Sequence, residues 1–327
     1  MVLDAQVEES NANRLLADYS VEMTAKDVPA LTGAARLVPA GTLVTVTFLG
    51  NEDTRMRVAA AHAARAAGFV PVPHIAARRL TDRRELEIFL AGMAAEAAVN
   101  RVVVVGGDPS EPMGPFPDAL AIINSGLLEE YGVQHVSIGG YPEGHPHISE
   151  PVLWQTLEDK RAALAERGLG ASIITQFGFD ADAVLRWIAE ARDRGIGLPI
   201  RVGVPGPAGV RRLLRYAKRF GAVTSAGIVQ KYGFSLTNLV GSAGPDRFVR
   251  DLAAGLAVPP AAGASAVPDD ISGSAGQGPP AAGASAVPDD ISGSAGRGEH
   301  GTVRLHFYTF GGLAATATWI RDFREKS

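Results

Sequence analysis

The chain of 327 residues contains no cysteine. Disulfides, thiolate metal sites and a cysteine nucleophile are therefore excluded, which agrees with a reducing compartment. It also lacks any excess of positive charge: 31 Lys and Arg stand against 35 Asp and Glu, a formal net charge of −4. That balance offers no global field to nucleic acid or to an anionic membrane, so neither is expected as a partner. No apolar run approaches the roughly 20 residues that span a bilayer. The opening segment, MVLDAQVEESNANRLLADYS, has neither the basic start nor the apolar centre of a signal peptide. A cytoplasmic protein is the expectation. Hydrophobic residues at 46% and charged residues at 20% are ordinary for a globular chain. The length suits one large domain or two small ones.

One segment stands apart. PPAAGASAVPDDISGSAGQG over 259–278 is followed by PPAAGASAVPDDISGSAGRG over 279–298, the copies differing only at Gln277 and Arg297. Ala, Gly, Ser and Pro dominate, and no aromatic is present. Such a composition buries too little apolar surface to offset its backbone entropy, so 259–298 reads as a disordered linker in a tolerant loop. A functional tether is the alternative. Residues 1–18 read as a polar extension, and 19–258 with 299–327 as the folded domain.

Outside the repeat, short β-branched runs alternate with longer amphipathic ones. Strands are expected at Ser20–Thr24, Leu43–Leu49, Val70–Ala76, Arg101–Gly107, His135–Tyr141, Ser172–Phe179, Pro199–Pro205 and Val303–Tyr308. Between them lie helical patterns such as RMRVAAAHAARAAG, DRRELEIFLAGMAAEA, DALAIINSGLLEEYG and DADAVLRWIAEARDRG, several closing on Gly. This alternation implies parallel strands with helical crossovers, and eight strands favour a closed (β/α)₈ TIM barrel. A dinucleotide-binding open sheet would want G-x-G-x-x-G after the first strand, and nothing of the kind follows Thr24.

In such a barrel, functional residues gather at the C-terminal strand ends. Here those ends are polar: Glu22, Thr47, His74, the run Gly106-Gly107-Asp108-Pro109, the run Gly139 to Pro146 containing Tyr141 and His145, and Thr175-Gln176. Burial would raise the pKa of Glu22, as a general acid near neutral pH requires. The alternative for Glu22 is an ion pair with a neighbouring strand. Asp108 reads equally as a turn or capping residue, and His74 as a satisfied core histidine. Gln176 is unexpected in a core strand because a buried amide needs several partners. His145 and His147 lack the accompanying carboxylates of a hydrolytic metal site, so no metal is expected.

Taken in order, these motifs resemble the flavin-dependent methylenetetrahydrofolate reductases over about Tyr19 to Trp319, the repeats excluded. Tyr141-Pro142-Glu143-Gly144-His145-Pro146 is similar to that family's Y-P-E-x-H-P, and Ile173 to Asp180 to its I-T-Q-x-F-F-D strand. Gly107-Asp108 matches the end of R-G-D, His306 to Thr309 matches H-F-Y-T, and Ser20-Val21-Glu22 falls where the family has S-F-E. The resemblance implies a barrel enzyme in which NADH or NADPH reduces bound FAD and a folate then takes its place. It assigns Glu22 as general acid, Asp108 as the aspartate beside the flavin, and Gln176 as a hydrogen-bond partner of the folate. It assigns Thr47, His74, Gly107, Asp108, Tyr141, His145 and Lys160 to FAD. A homo-oligomer stays open.

The departures are specific. The arginine of R-G-D is Gly106, and the F-F-P-P after the family's glutamate reads Met23-Thr24-Ala25-Lys26. His147 and Leu153 stand where acidic residues are usual, and Gly312 where an arginine would meet the folate tail. Arg211, Arg212 and Arg215 are candidate replacements. The expectation is a divergent, short reductase consisting of the catalytic barrel. Its alternatives are direct hydride transfer from the nicotinamide without tight flavin, and a non-redox carrier of folate-bound one-carbon units.

Overall fold

A computed structural model describes residues 11–48, 50, 52–209, 242–257 and 301–326. Eight parallel strands close into a barrel: β1 (Ser20–Met23), β2 (Leu43–Val46), β3 (Val70–Ala76), β4 (Arg101–Val105), β5 (His135–Gly140), β6 (Gly170–Thr175), β7 (Ile200–Pro205) and β8 (Val303–Tyr308). Neighbours in sequence are neighbours in space. The ring closes where β8 pairs with both β7 and β1, placing Ser20 opposite His306 and Val21 opposite Phe307. The expected fold class is therefore observed, and the strands at Val70–Ala76 and Val303–Tyr308 have the expected bounds. Five of the others end one to four residues early, because their C-terminal residues turn out of the ladder into loops, while the strand expected at Pro199–Pro205 starts one residue late, at Ile200, and ends as expected. Thr47, Gly106-Gly107, Tyr141 and Gln176 thus follow strands rather than lying in them. Leu49, at the end of the expected second strand, lies outside the described residues.

Alternation along each strand decides what faces the lumen. Val21, Met23, Val102, Val104, Val202, Leu305 and Phe307 are buried in the shell between barrel and helices. The residues between them point inward: Val72, Val103 and Ile174 form a small apolar cluster inside the barrel. Gly203 of β7 has a special role. A Cβ there would lie 2.4 Å from the Thr175 carbonyl oxygen, so only glycine lets β7 approach β6 this closely.

The helices follow their caps. Asp53 accepts from Met56 N to start α1 (Thr54–Ala66), and Asp82 accepts from Glu85 N to start α2 (Arg83–Ala97). Asp118 caps α3 (Ala119–Ile123), and Asp180 caps α6 (Ala181–Asp193) through the amides of Asp182 and Ala183. Each carboxylate satisfies amides that the first turn leaves free. The pattern DALAIINSGLLEEYG, read as one helix, is two: Gly126 at φ +77° breaks it into α3 and α4 (Leu127–Glu130). Then come α5 (Glu150–Glu166), α7 (Asp246–Ala257) and α8 (Leu313–Lys326). Trp154 of α5 stacks on Trp187 of α6 at 5.4 Å, locking these two helices together. Among the described residues no helix is long and apolar enough to cross a membrane. The expected disorder of 259–298 and most of the expected polar extension, 1–10, lie outside the described residues.

Candidate active site

The C-terminal mouth of the barrel is built around Glu22. As an inward-facing residue of β1 it projects among His74 of β3 and Tyr308 of β8, and its side chain is 16% exposed. Thr309 Oγ1 donates to the Glu22 carbonyl oxygen at 2.7 Å, holding the end of β1 against the end of β8. Burial pushes the Glu22 carboxyl up to about 8, and the negative charge of Asp27 adds to the shift. His74 Nε2 lies 3.7 Å from Glu22 Oε2. Burial, aided by the positive charge of Arg57, takes His74 down to about 3. Near neutral pH a protonated acid therefore faces a neutral imidazole. The distance fits an ion pair, but neither group carries its charge.

His74 is held from two sides. Thr47 Oγ1 lies 3.4 Å from Nδ1, and Arg57 donates to the His74 carbonyl oxygen. Arg57 is only 4% exposed and sits between the rings of Phe48 and Phe89, 4.2 and 4.1 Å from their centroids. His74 Nε2 is buried without a hydrogen-bond partner. One layer deeper, Ser20 Oγ meets His306 Nδ1 at 2.9 Å, and His306 Nε2 is likewise unpartnered.

The opposite wall is aromatic. Phe177 packs edge-on against Tyr308 at 5.2 Å and Phe310 at 5.0 Å, while Tyr308 and Phe310 lie nearly parallel at 5.9 Å. Tyr308 OH donates to the Thr175 carbonyl at 3.1 Å, and burial raises its pKa well above the ordinary phenol range. Gln176 follows at once, its backbone N–H donating to Gly140 O at 2.8 Å and its Oε1 accepting from Phe177 N at 3.1 Å. The loop beyond is fastened by Glu143, whose Oε1 accepts from Phe179 N at 2.6 Å and Asp180 N at 2.8 Å. Tyr141 and His145 stand edge to face at 5.3 Å on the same β5 loop.

The rim after β4 carries Gly107 at φ +94°, a backbone state that favours glycine, and Asp108, whose side chain is 60% exposed. Arg79 grips Asp108 with two parallel bonds, Nε to Oδ1 and Nη2 to Oδ2, both at 2.6 Å. Arg78 braces the same loop through the carbonyls of Pro109 and Pro117. Among the described residues no group of three or more His, Asp or Glu could hold a metal ion.

A sequence model of one family, methylenetetrahydrofolate reductase, matches residues 11–232. The chain belongs to the methylenetetrahydrofolate reductase family. Among curated proteins, "Methylenetetrahydrofolate reductase (NADH) 1" of Arabidopsis thaliana is 30% identical over 132 residues, 36% of this chain and 22% of that protein. The "5,10-methylenetetrahydrofolate reductase" of Pectobacterium carotovorum subsp. carotovorum is 32% identical over 124 residues, 37% of this chain and 39% of that protein. The matches thus span well under half the length of either relative. A solved GH20 beta-N-acetylhexosaminidase from Streptomyces coelicolor A3(2) aligns with 57% of this chain and 48% of that one, at 12% identity and a TM-score of 0.32.

Of the residues that the resemblance to the reductase family singled out, the fold gathers Glu22, Thr47 and His74 directly. Tyr141, His145, Gln176, Gly107 and Asp108 sit on the loops around the same mouth. Lys160 is different. It lies midway along α5, half-buried near the Asp118 carboxylate, and no described contact joins it to the others. Arg211, Arg212 and Arg215 lie outside the described residues. Three contributors escaped the sequence reading: Arg79, Arg57 and Phe310. The paired arginines at the end of β3 were the available signal for Arg79. Nothing in the sequence marked Arg57, since an arginine on an amphipathic helix ordinarily faces solvent.

Proposed function

We propose that this reductase-family chain uses NADH or NADPH, through bound FAD, to reduce 5,10-methylenetetrahydrofolate to 5-methyltetrahydrofolate, or runs the reverse reaction in one-carbon catabolism, in the cytoplasm. The observation that carries the reading is Glu22, a carboxyl kept protonated near neutral pH at the mouth of the barrel. General acid catalysis needs a donor whose pKa lies near the working pH. Glu22 would give its proton to the folate's bridging nitrogen as the five-membered ring opens. Neutral His74, 3.7 Å away, leaves the acid protonated rather than drawing it into an ion pair. Gln176 would hydrogen-bond the folate, and the Phe177–Tyr308–Phe310 wall would stack against a flat heterocycle.

The residues present fit a flavin. An orphaned His74 Nε2 awaits a polar partner, and the bare backbone at Gly107 admits close approach. FAD, when bound, supplies the two-electron relay between nicotinamide and folate. Thr47, His74, Gly107, Tyr141 and His145 would hold it. Asp108, with Arg79 clamped to it, would set the local charge. Lys160 does not join this proposal.

One observation favours a second reading, direct hydride transfer from nicotinamide to folate without tight flavin. Gly106 stands where the family has arginine, and the Asp108 carboxylate is already bound two-fold by Arg79. The visible spectrum of the purified protein with added FAD separates the two. The common core of both is tested by Glu22→Gln. Folate-dependent NAD(P)H oxidation should fall by at least about 100-fold, while nicotinamide-driven flavin reduction stays intact. Equal loss of both half-reactions in a folded variant would count against the role of Glu22. A wild-type protein that oxidises no NAD(P)H with methylene-folate would overturn the reductase reading itself.

A further inference from the structure

The opposite, N-terminal end of the barrel carries a second polar constellation. There the lumen forms a small pocket, partly open to solvent, in which the centre of a water-sized sphere can reach about 30 Å³. The floor is apolar, from Leu43, Val72 and Ile174, and the rim holds Arg101, Arg201 and Arg304. Each arginine opens or nearly opens its strand, and its sequence neighbours Val102, Ile200, Val202, Val303 and Leu305 face the helices. Alternation therefore turns all three guanidinium groups inward.

Arg201 and Arg304 are direct register partners on β7 and β8. Like charges opposite one another on adjacent strands are destabilising unless something answers them. Asp18 answers one: Arg201 Nη1 donates to its carbonyl oxygen at 2.7 Å and Nη2 to Oδ2 at 2.8 Å. Among the described residues no carboxylate pairs with Arg304. Its Nη1 reaches the Val303 carbonyl at 2.8 Å, and its Nε is buried with no partner. Arg101 has no carboxylate partner among the described residues. His135 is kept neutral, at about 4, by burial and by the charges of Arg101 and Arg201. Its Nε2 meets Ser172 Oγ at 2.9 Å, which in turn meets Ser137 Oγ at 2.9 Å, so hydroxyls that can turn as donors line the wall.

Among the described residues, three guanidinium groups against one carboxylate leave two positive charges around a partly enclosed space with hydroxyls on its wall. A dianionic oxyanion matches that charge, and the donor-only fork of arginine matches its oxygens. We infer that this cavity binds a phosphate-type oxyanion. The site is separate from the catalytic mouth, since Arg304 and Tyr308 stand four residues apart on β8, roughly 13 Å along the strand.

The test titrates the full-length protein with sodium phosphate while sodium chloride holds ionic strength constant, following Tm and binding heat. Phosphate is expected to raise Tm saturably, by about 3 °C, with a single-site heat signal. Sulfate should act alike, and acetate, a monoanion, more weakly. Arg304→Gln should abolish the saturable shift, and Arg101→Gln supplies the same test should the first variant fail to fold. A shift reproduced by chloride at equal ionic strength overturns the proposal. So does one that survives in either folded variant, or one that acetate produces more strongly than phosphate.

Discussion

At the scale of single residues, Glu22 would link the proposed acid catalysis to stability. An unfolded glutamate titrates near 4.5, whereas the folded protein holds Glu22 at about 8. Between those values the folded state keeps a proton that the unfolded state has released, so stability falls as pH rises through that window. His74 works from the acid side. Folded, it stays neutral down to about 3, so below about 6.5 the unfolded state gains a proton and stability falls as pH drops. Glu22→Gln cannot ionise and removes the first of these slopes. Its stability should match the wild type near pH 5 and exceed it increasingly toward pH 9, by on the order of 3–5 kcal/mol at the limit, read as a Tm difference that widens with pH. Parallel Tm profiles for the two proteins would show that Glu22 is not a buried acid. Its candidacy was legible in the sequence, because an acid between Val21 and Met23 interrupts the apolar run of a strand buried on both faces. The burial that shifts it was not, since the strands carrying His74 and Tyr308 enclose it only when the barrel closes.

At the scale of elements, the loops beyond the strands are tied to one another as well as to the barrel. Glu143, from the loop after β5, accepts two backbone amides of the loop after β6, and that loop begins with Gln176 and Phe177. A Cβ on Gly178 would come within 2.8 Å of Glu143 Oε1, so the glycine admits the carboxylate. Glu143→Ala strands two amides that were bound by a charged acceptor. A loss of about 2 kcal/mol is expected, measured by urea unfolding, together with a raised KM for the folate. An unchanged midpoint and KM would show that the loop is held by other means. The Y-P-E-x-H-P motif pointed to this segment, but as a cofactor contact; that its glutamate ties two loops together emerged from the contacts. Arg79 follows the same logic. It grips Asp108 across the mouth from the end of β3, a pairing that spans two strands and leaves no local trace in sequence.

At the scale of the whole molecule, closure of the barrel divides the protein into two chemically distinct ends. Inward-facing residues place Glu22 and its aromatic wall at one mouth and the three arginines at the other, with Val72, Val103 and Ile174 packed between. The repeat at 259–298 falls between Ala257, the last residue of α7, and Val303, the first of β8. Removing it leaves a connection of ordinary length for a helix-to-strand loop, and loop-closure entropy changes only slowly with length. Deletion of 259–298 should leave Tm within about 2 °C and activity nearly unchanged; a large loss in either would give the repeat a structural role. What the sequence by itself determined was periodicity: eight β-branched runs, the helices between them, the glycines that close several of those helices, and an acid where a core residue was due. These are local properties, set by hydrogen bonding and apolar spacing within a few residues. What the tertiary structure decided was every relation between strands: the neutral Glu22–His74 pair, the clamp of Arg79 on Asp108, and the register that sets Arg201 beside Arg304. Each depends on burial and on distances across the barrel. Desolvation and charge coupling arise only once remote segments share one low-dielectric space.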